Sequence, residues 1–269
     1  MATRIVGVLN VTPDSFSDGG RFSSVEDAVA AGLAMVAQGA DWLDVGGEST
    51  RPGSVPVPEA EEIARVVPVL RALTSRLGTT VRVSVDTYKA ATAYAALAEG
   101  ATAVNDVSGG LLDPEILRVA AAGRAAMVVG HLRGMPADMQ AHVHFANVVD
   151  EVADELGSRV AAARAAGCAE VWADPGIGFG KHLDHNLRLL GHLAYIRARL
   201  RVPVMVGVSR KRFIGDLTGK PAAERVFGTA AAVTVAIMNG ADAVRVHDVA
   251  AMHDVVRVAE AIVGTGELD

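Results

Sequence analysis

One rhythm repeats along the chain. Short runs rich in valine, isoleucine and alanine alternate with longer alanine-rich stretches whose apolar residues recur at helical spacing. A short apolar run between turn residues marks a buried strand, and apolar residues recurring every three to four positions mark a helix face. The pattern predicts strands at residues 5–9, 42–45, 81–85, 103–106, 126–130, 171–174, 204–208 and 243–246. It predicts helices at 25–38, 59–76, 89–99, 114–121, 148–166, 185–200, 222–239 and 249–262. Gly39, Gly100, Gly167 and Gly240 stand just past predicted helix ends, where a left-handed residue satisfies the last carbonyls. No Pro/Ser-rich tract or long charge block interrupts the alternation, so residues 1–269 read as one domain. Eight strand–helix units are what a single (β/α)₈ TIM barrel requires. A doubly wound open sheet is the alternative for the same alternation.

Composition narrows the function more than the fold. With 51% hydrophobic and 21% charged residues there is material for a large core and no case for disorder. A formal net charge of −6 argues against broad binding to nucleic acid or to an anionic membrane surface, so an anionic ligand would need a local basic pocket. The first sixteen residues lack the apolar core of a signal peptide, and no run reaches the ~20 apolar residues of a membrane span. Cys168 is the only cysteine, which excludes an intrachain disulfide and suits a reducing cytoplasm.

The chemistry is placed by position. Polar and charged residues gather directly after the predicted strands, and in a barrel those loops converge on the face that carries active sites. They include Asn10, Asp44, Asp86, Asn105, His131, Asp174, Ser209, Lys211, Arg245 and His247. Alternation within 81–86 puts Val81, Val83 and Val85 on one face and Arg82, Ser84 and Asp86 on the other, aiming Asp86 into the barrel mouth. Arg245 and His247 share a face by the same argument. Asp86, Asn105 and Asp174 form an acceptor-rich half suited to the donor edge of a flat heterocycle. Lys211, Arg245 and His247 form a donor half suited to a phosphate. The residues alone thus point to an anion-bearing polar heterocycle at the mouth of a barrel.

Residues 8–20 (Val-Leu-Asn-Val-Thr-Pro-Asp-Ser-Phe-Ser-Asp-Gly-Gly) and 44–53 (Asp-Val-Gly-Gly-Glu-Ser-Thr-Arg-Pro-Gly) resemble the two signature segments of dihydropteroate synthases. The later segments agree in order, so the similarity covers nearly the whole chain. The resemblance implies condensation of 6-hydroxymethyl-7,8-dihydropterin pyrophosphate with 4-aminobenzoate, giving dihydropteroate and pyrophosphate. It implies a pterin site of Asp86, Asn105, Asp174, Phe179, Gly207 and Lys211, with Asp174 taking the 2-amino and ring N–H donors. Pyrophosphate would lie among Asn10, Arg245 and His247, with Asn10 also helping to bind Mg²⁺. For 4-aminobenzoate it implies Phe16 and Pro52 as apolar walls, Thr50 and Arg51 as ordering groups, and Ser209 toward the carboxylate. The catalytic set would be Asp86, Lys211, Arg245 and His247, acting in a dissociative substitution in which Asp86 stabilises a methylene cation. Family habit and the small side chains of 222–239 imply a homodimer.

His142, His144, His182 and His185 invite a zinc reading, but no cysteine lies near them in sequence and solvated histidines are the simpler reading. One departure from the family stands out. A methionine that packs on the pterin usually precedes the histidine of the fifth strand, whereas here Gly130 precedes His131. The expectation is that Gly130→Met tightens pterin binding modestly; the rival outcome is a clash, if the space is already filled from elsewhere. That departure also keeps in view a non-catalytic pterin-binding paralogue; a methyltetrahydrofolate-type methyltransferase, whose pterin domain has a related barrel, is a third reading.

Overall fold

The computed structural model describes residues 2–12, 24–50, 53–141 and 143–265. Strands β1 (Arg4–Asn10), β2 (Trp42–Gly46), β3 (Arg82–Asp86), β4 (Ala103–Asp106), β5 (Ala126–Gly130), β6 (Val171–Asp174), β7 (Met205–Gly207) and β8 (Ala243–Val246) are all parallel. Their order is β6-β5-β4-β3-β2-β1-β8-β7, and a parallel bridge between Ala173 and Val204 joins the two edges. The sheet is therefore a nearly closed barrel, its last gap spanned by that single bridge, and not the doubly wound alternative.

Ten helices surround it among the described residues: α1 (Val25–Ala37), α2 (Glu59–Leu77), α3 (Ala90–Ala98), α4 (Glu115–Ala122), α5 (Val148–Ala165), α6 (Leu183–Gly191), α7 (Leu193–Leu200), α8 (Arg212–Thr218), α9 (Val226–Met238) and α10 (Val249–Thr265). Local chemistry sets several ends. Ser24 caps α1 by accepting the Asp27 N–H at 3.2 Å, and Asn147 caps α5 by accepting from Val149 at 3.2 Å. The four expected C-terminal glycines all have positive φ, from 85 to 104°.

Two predicted helices differ. The one expected over 185–200 is two, α6 and α7, separated at His192, which follows Gly191, a weak helix former. The one expected over 222–239 starts as a 3₁₀ turn at Ala222–Glu224 and becomes α-helical only at Val226, while α8, not among the helices that periodicity predicts, precedes it. Lys211 opens α8 in an extended conformation and Gly219, at φ 70°, ends it after two turns, too short for periodicity to reveal.

The main core lies between barrel and helices, where Leu43, Val45, Val85, Val129 and their neighbours meet the helix faces. A second apolar cluster plugs the barrel itself: Val6, Trp42, Ala103, Ala126, Val128, Trp172, Met205 and Ala243. The two tryptophans meet edge to face, ring centroids 5.8 Å apart. Their polar tips are satisfied, Trp42 Nε1 donating to Ser84 Oγ at 2.8 Å and Trp172 Nε1 to Glu170 at 2.7 Å. Below them Arg82 and Glu170 pair through two bonds of 2.6 and 2.9 Å. With its lower half filled, the barrel has room for a ligand only at the C-terminal ends of the strands.

Candidate active site

The floor of the mouth is a charged network spanning four strands. Arg245 of β8 donates from Nε to Asp44 Oδ2 and from Nη2 to Asp86 Oδ2, both at 2.6 Å. Asn105 of β4 donates to Asp44 Oδ2 at 2.8 Å, and Ser84 donates to the same carboxylate's other oxygen. The inward parity of Ser84 and Asp86 is as alternation predicts. Asp44 is among the polar strand-end residues of the sequence but receives no ligand or catalytic role there, although its spacing of two from inward Trp42 gives it the same face. What the sequence lacks is any sign that a residue 201 positions away reaches it.

Above this floor opens a cleft, about 380 Å³ with its solvent-open mouth included, lined by Thr50, Asp86, Asn105, Val107, Gly130, His131, Asp174, Gly176, Phe179, Gly207, Lys211 and Arg245. All six residues expected to hold the pterin line it. Gly176 N–H donates to Asp174 Oδ1 at 2.8 Å, fixing the carboxylate. A Cβ on Gly207 would stand 3.7 Å from Lys211 Nζ and 3.9 Å from Asp174 Oδ2, so glycine keeps open the gap between acceptor and donor. Lys211 rests on the loop after β6, donating to the Ile177 carbonyl with its ammonium 4.3 Å from the centre of the Phe179 ring.

Burial perturbs the ionisation of these groups. Desolvation raises Asp86 to about 7, with Arg245 opposing the rise and Asp44 adding to it. Desolvation also raises Asp174, against Lys211. It lowers Lys211 to about 8, with Asp174 opposing. Arg245 is also desolvated, yet its two carboxylate partners carry it above its ordinary value. Carboxylates that hold protons more tightly and an amine that holds its proton less tightly, in one cleft, mark a functional site.

The remaining candidates stand at the rim or outside the description. Asn10 ends β1 half-buried; a Cβ on Gly46 would stand 3.7 Å from its amide oxygen and 3.5 Å from Asp86 Oδ2. Ser209 is buried; its hydroxyl accepts the His247 backbone N–H at 3.2 Å and lies 3.1 Å from His247 Nδ1, and neither residue lines the cavity. Phe16, Arg51 and Pro52 lie outside the described residues.

Behind the cavity wall, Lys181 is buried with its ammonium 2.9 Å from His131 Nδ1 and donating to the carbonyls of His131 and Phe179 at 3.3 and 3.0 Å. The other ring nitrogen of His131 lies 3.0 Å from Glu155. Desolvation drives His131 down to about 3, so its ring is neutral. The pair ties the loop carrying Phe179 to the end of β5. Nothing in the spacing of residues 131 and 181 announces it.

Gly130 resolves the question of the missing methionine. A Cβ there would lie 2.6 to 2.8 Å from the backbone O, Cα and C of Val107. The space is filled by the turn after β4, against which Tyr88, Leu132, Leu112 and Phe179 pack. The pocket is rebuilt at this point and not left open.

Comparison with known proteins agrees with this geometry. Residues 6–247 match the family described as pterin binding enzyme. The chain is 43% identical over 263 residues to a dihydropteroate synthase of Synechocystis sp., covering 97% of this chain and 90% of that protein. It superposes on the dihydropteroate synthase of Thermus thermophilus in complex with 4-aminobenzoate with a TM-score of 0.86 at 47% identity, covering 97% and 94% of the two chains. Against the Xanthomonas albilineans enzyme in complex with 7,8-dihydropteroate the TM-score is 0.85 at 43% identity, with the same coverage. A full-length match of this kind, on a fold and a cleft already suited to a pterin, places the chain in the pterin-binding enzyme family.

Proposed function

We infer that this protein is a dihydropteroate synthase, a transferase of folate biosynthesis that joins 6-hydroxymethyl-7,8-dihydropterin pyrophosphate to 4-aminobenzoate. The observation that carries the reading is the cleft itself, where Asp86, Asn105, Asp174 and Lys211 line one cavity above a plugged barrel. Asp174 takes the 2-amino and ring N–H donors of the pterin, Lys211 meets the carbonyl edge, and Phe179 offers an apolar face. The bond between the pterin methylene and the pyrophosphate oxygen then breaks, its electron pair leaving on pyrophosphate. The methylene cation is stabilised by the Asp86 carboxylate until the 4-aminobenzoate nitrogen attacks it and sheds a proton. No nucleophilic side chain is needed.

Arg245 and His247 serve the departing pyrophosphate, Arg245 from its place beside Asp86. Thr50 reaches the cavity from the second loop, and the family resemblance assigns Phe16, Arg51, Pro52 and Ser209 to 4-aminobenzoate with it. Asn10 fits an Mg²⁺ ion. Its amide oxygen is a hard neutral donor, and among the described residues no three His, Cys, Asp or Glu side chains converge on a metal position. Mg²⁺ characteristically takes few protein ligands and draws the rest from phosphate and water, and when bound it neutralises charge on the pyrophosphate.

A homodimer suits the exposed apolar residues of α9 and α10, among them Phe227, Met238, Val258 and Ile262. A concentration-independent monomer mass in sedimentation equilibrium would remove that part of the reading. Buried Cys168 suits the cytoplasm. The deciding assay is incubation of the purified protein with the dihydropterin pyrophosphate, Mg²⁺ and 4-aminobenzoate. Dihydropteroate should form with one pyrophosphate released for each; pterin binding without turnover would refute the activity.

A further inference from the structure

The segment between β2 and α2, residues 47–57, brings Thr50 to the cavity and is pinched at its neck by one side chain. Glu48 is buried, 6% exposed. Its Oε2 accepts the Val57 backbone N–H at 3.0 Å together with the Lys89 ammonium, and its Oε1 accepts the Tyr88 hydroxyl at 2.8 Å. Lys89 also donates to Glu62 Oε2 of α2 at 2.6 Å. Arg65 of α2 holds the Gly47 carbonyl at 2.7 Å. Gly47 presses on the same helix, where a Cβ would stand 2.8 Å from Val66 Cγ1. One carboxylate thus joins the start of the segment to its end.

Its partners are informative. Tyr88 and Lys89 follow Asp86 by two and three positions, so the grip on the second loop comes from the strand end that carries a floor carboxylate. Neither Glu48 nor Lys89 lines the cavity. Two buried carboxylates around one ammonium are costly to desolvate, and replacing such a cluster by apolar residues is often neutral for stability. A role in fixing geometry accounts for the arrangement better than stability does.

We propose that Glu48, held by Lys89 and Tyr88, is a positioning residue that fixes the two ends of the second loop, and with them Thr50 at the cavity, for capture of 4-aminobenzoate, while pterin binding is left to the floor. The proposal rests on the dihydropteroate synthase reading.

Glu48→Gln keeps the volume but removes the charge that pairs with Lys89 and puts an amide donor either against Lys89 and the Val57 N–H or against the Tyr88 hydroxyl. Tyr88→Phe removes a single hydroxyl and keeps the test open if the first variant folds poorly. The KM for 4-aminobenzoate should rise about tenfold in Glu48→Gln and about threefold in Tyr88→Phe, as loss of a charge-assisted bond predicts. The Kd for 6-hydroxymethyl-7,8-dihydropterin should stay within about twofold, and hydrogen exchange at the Val57 amide should quicken about tenfold as its acceptor weakens. An unchanged KM, or a pterin Kd that rises by the same factor, overturns the proposal. If the wild-type protein forms no dihydropteroate, the activity reading falls by itself. Exchange at Val57 then decides whether Glu48 anchors the loop, and an unchanged rate overturns that too.

Discussion

Adding one carbon to Gly130 should loosen this protein and weaken its hold on pterin. The Cβ of Gly130→Ala would sit 2.6, 2.7 and 2.8 Å from the O, Cα and C of Val107, all backbone atoms. Carbon contacts are comfortable near ~3.5 Å, so the Val107 turn must retreat by about 0.8 Å. It has little freedom to do so. Asp106 accepts the N–H groups of Ser108 and Gly110 at 2.7 and 2.6 Å, and Arg159 clamps the Gly130 carbonyl at 2.6 Å. Overpacking costs ~1–3 kcal/mol, and a rigid backbone neighbour places this case near ~2–3 kcal/mol. At ~2.1 cal/mol/K of unfolding entropy per residue, that lowers Tm by about 4–5 °C. Val107 lines the cavity, so pterin affinity falls with it. Gly130→Met behaves likewise, against the expectation from family resemblance that its ~1.5–3 kcal/mol of side-chain burial would tighten binding. Gly191→Ala is the control: no atom lies within 4 Å of its Cβ, and it should be neutral or stabilising by up to ~1 kcal/mol. Differential scanning fluorimetry and pterin titration calorimetry read both effects. Tighter binding by Gly130→Met at an unchanged Tm would refute the reasoning, because it would mean that the Val107 turn yields freely.

Three further outcomes follow from the floor. Ionised Asp86 and protonated Lys211 coexist only between about 7 and about 8, so kcat/KM of the free enzyme should rise through the first value, as Asp86 loses its proton, and fall through the second, as Lys211 loses its own; a flat profile from pH 6 to 9 would sever these groups from catalysis. Asp86→Asn should lower kcat by about 10²–10³ with a smaller change in pterin Kd, and should erase the acidic limb; equal losses in rate and binding would reduce Asp86 to a holding group. Arg245→Ala should weaken the pyrophosphate-bearing pterin more than the hydroxymethyl pterin, and should also cost about 3 kcal/mol of stability because Asp44 and Asp86 lose their shared cation; calorimetry with both ligands, beside a melting curve, separates the two effects.

Much of this was legible in the residues. Alternation and helical spacing are local, fixed by backbone dihedrals and by side-chain direction, so the strand–helix units and the inward aim of Arg82, Ser84 and Asp86 could be read directly. The gathering of polar residues after the strands named Asp86, Asn105, His131, Asp174, Lys211 and Arg245 of the cavity lining for the same reason, together with Asn10, Ser209 and His247, which do not line it. The two signature segments, being continuous in the chain, carried the family. Residues distant in sequence were another matter. Closure through Ala173 and Val204, Arg245 seated between Asp44 and Asp86, Lys181 against His131, and Glu48 joined to Val57 and Lys89 all depend on which strand and loop neighbours the barrel brings together. Gly130 shows the difference most plainly. The sequence marked it as a departure, but only the folded chain puts the Val107 backbone in its space, because close packing is decided by approach in three dimensions and leaves no periodic trace along the chain.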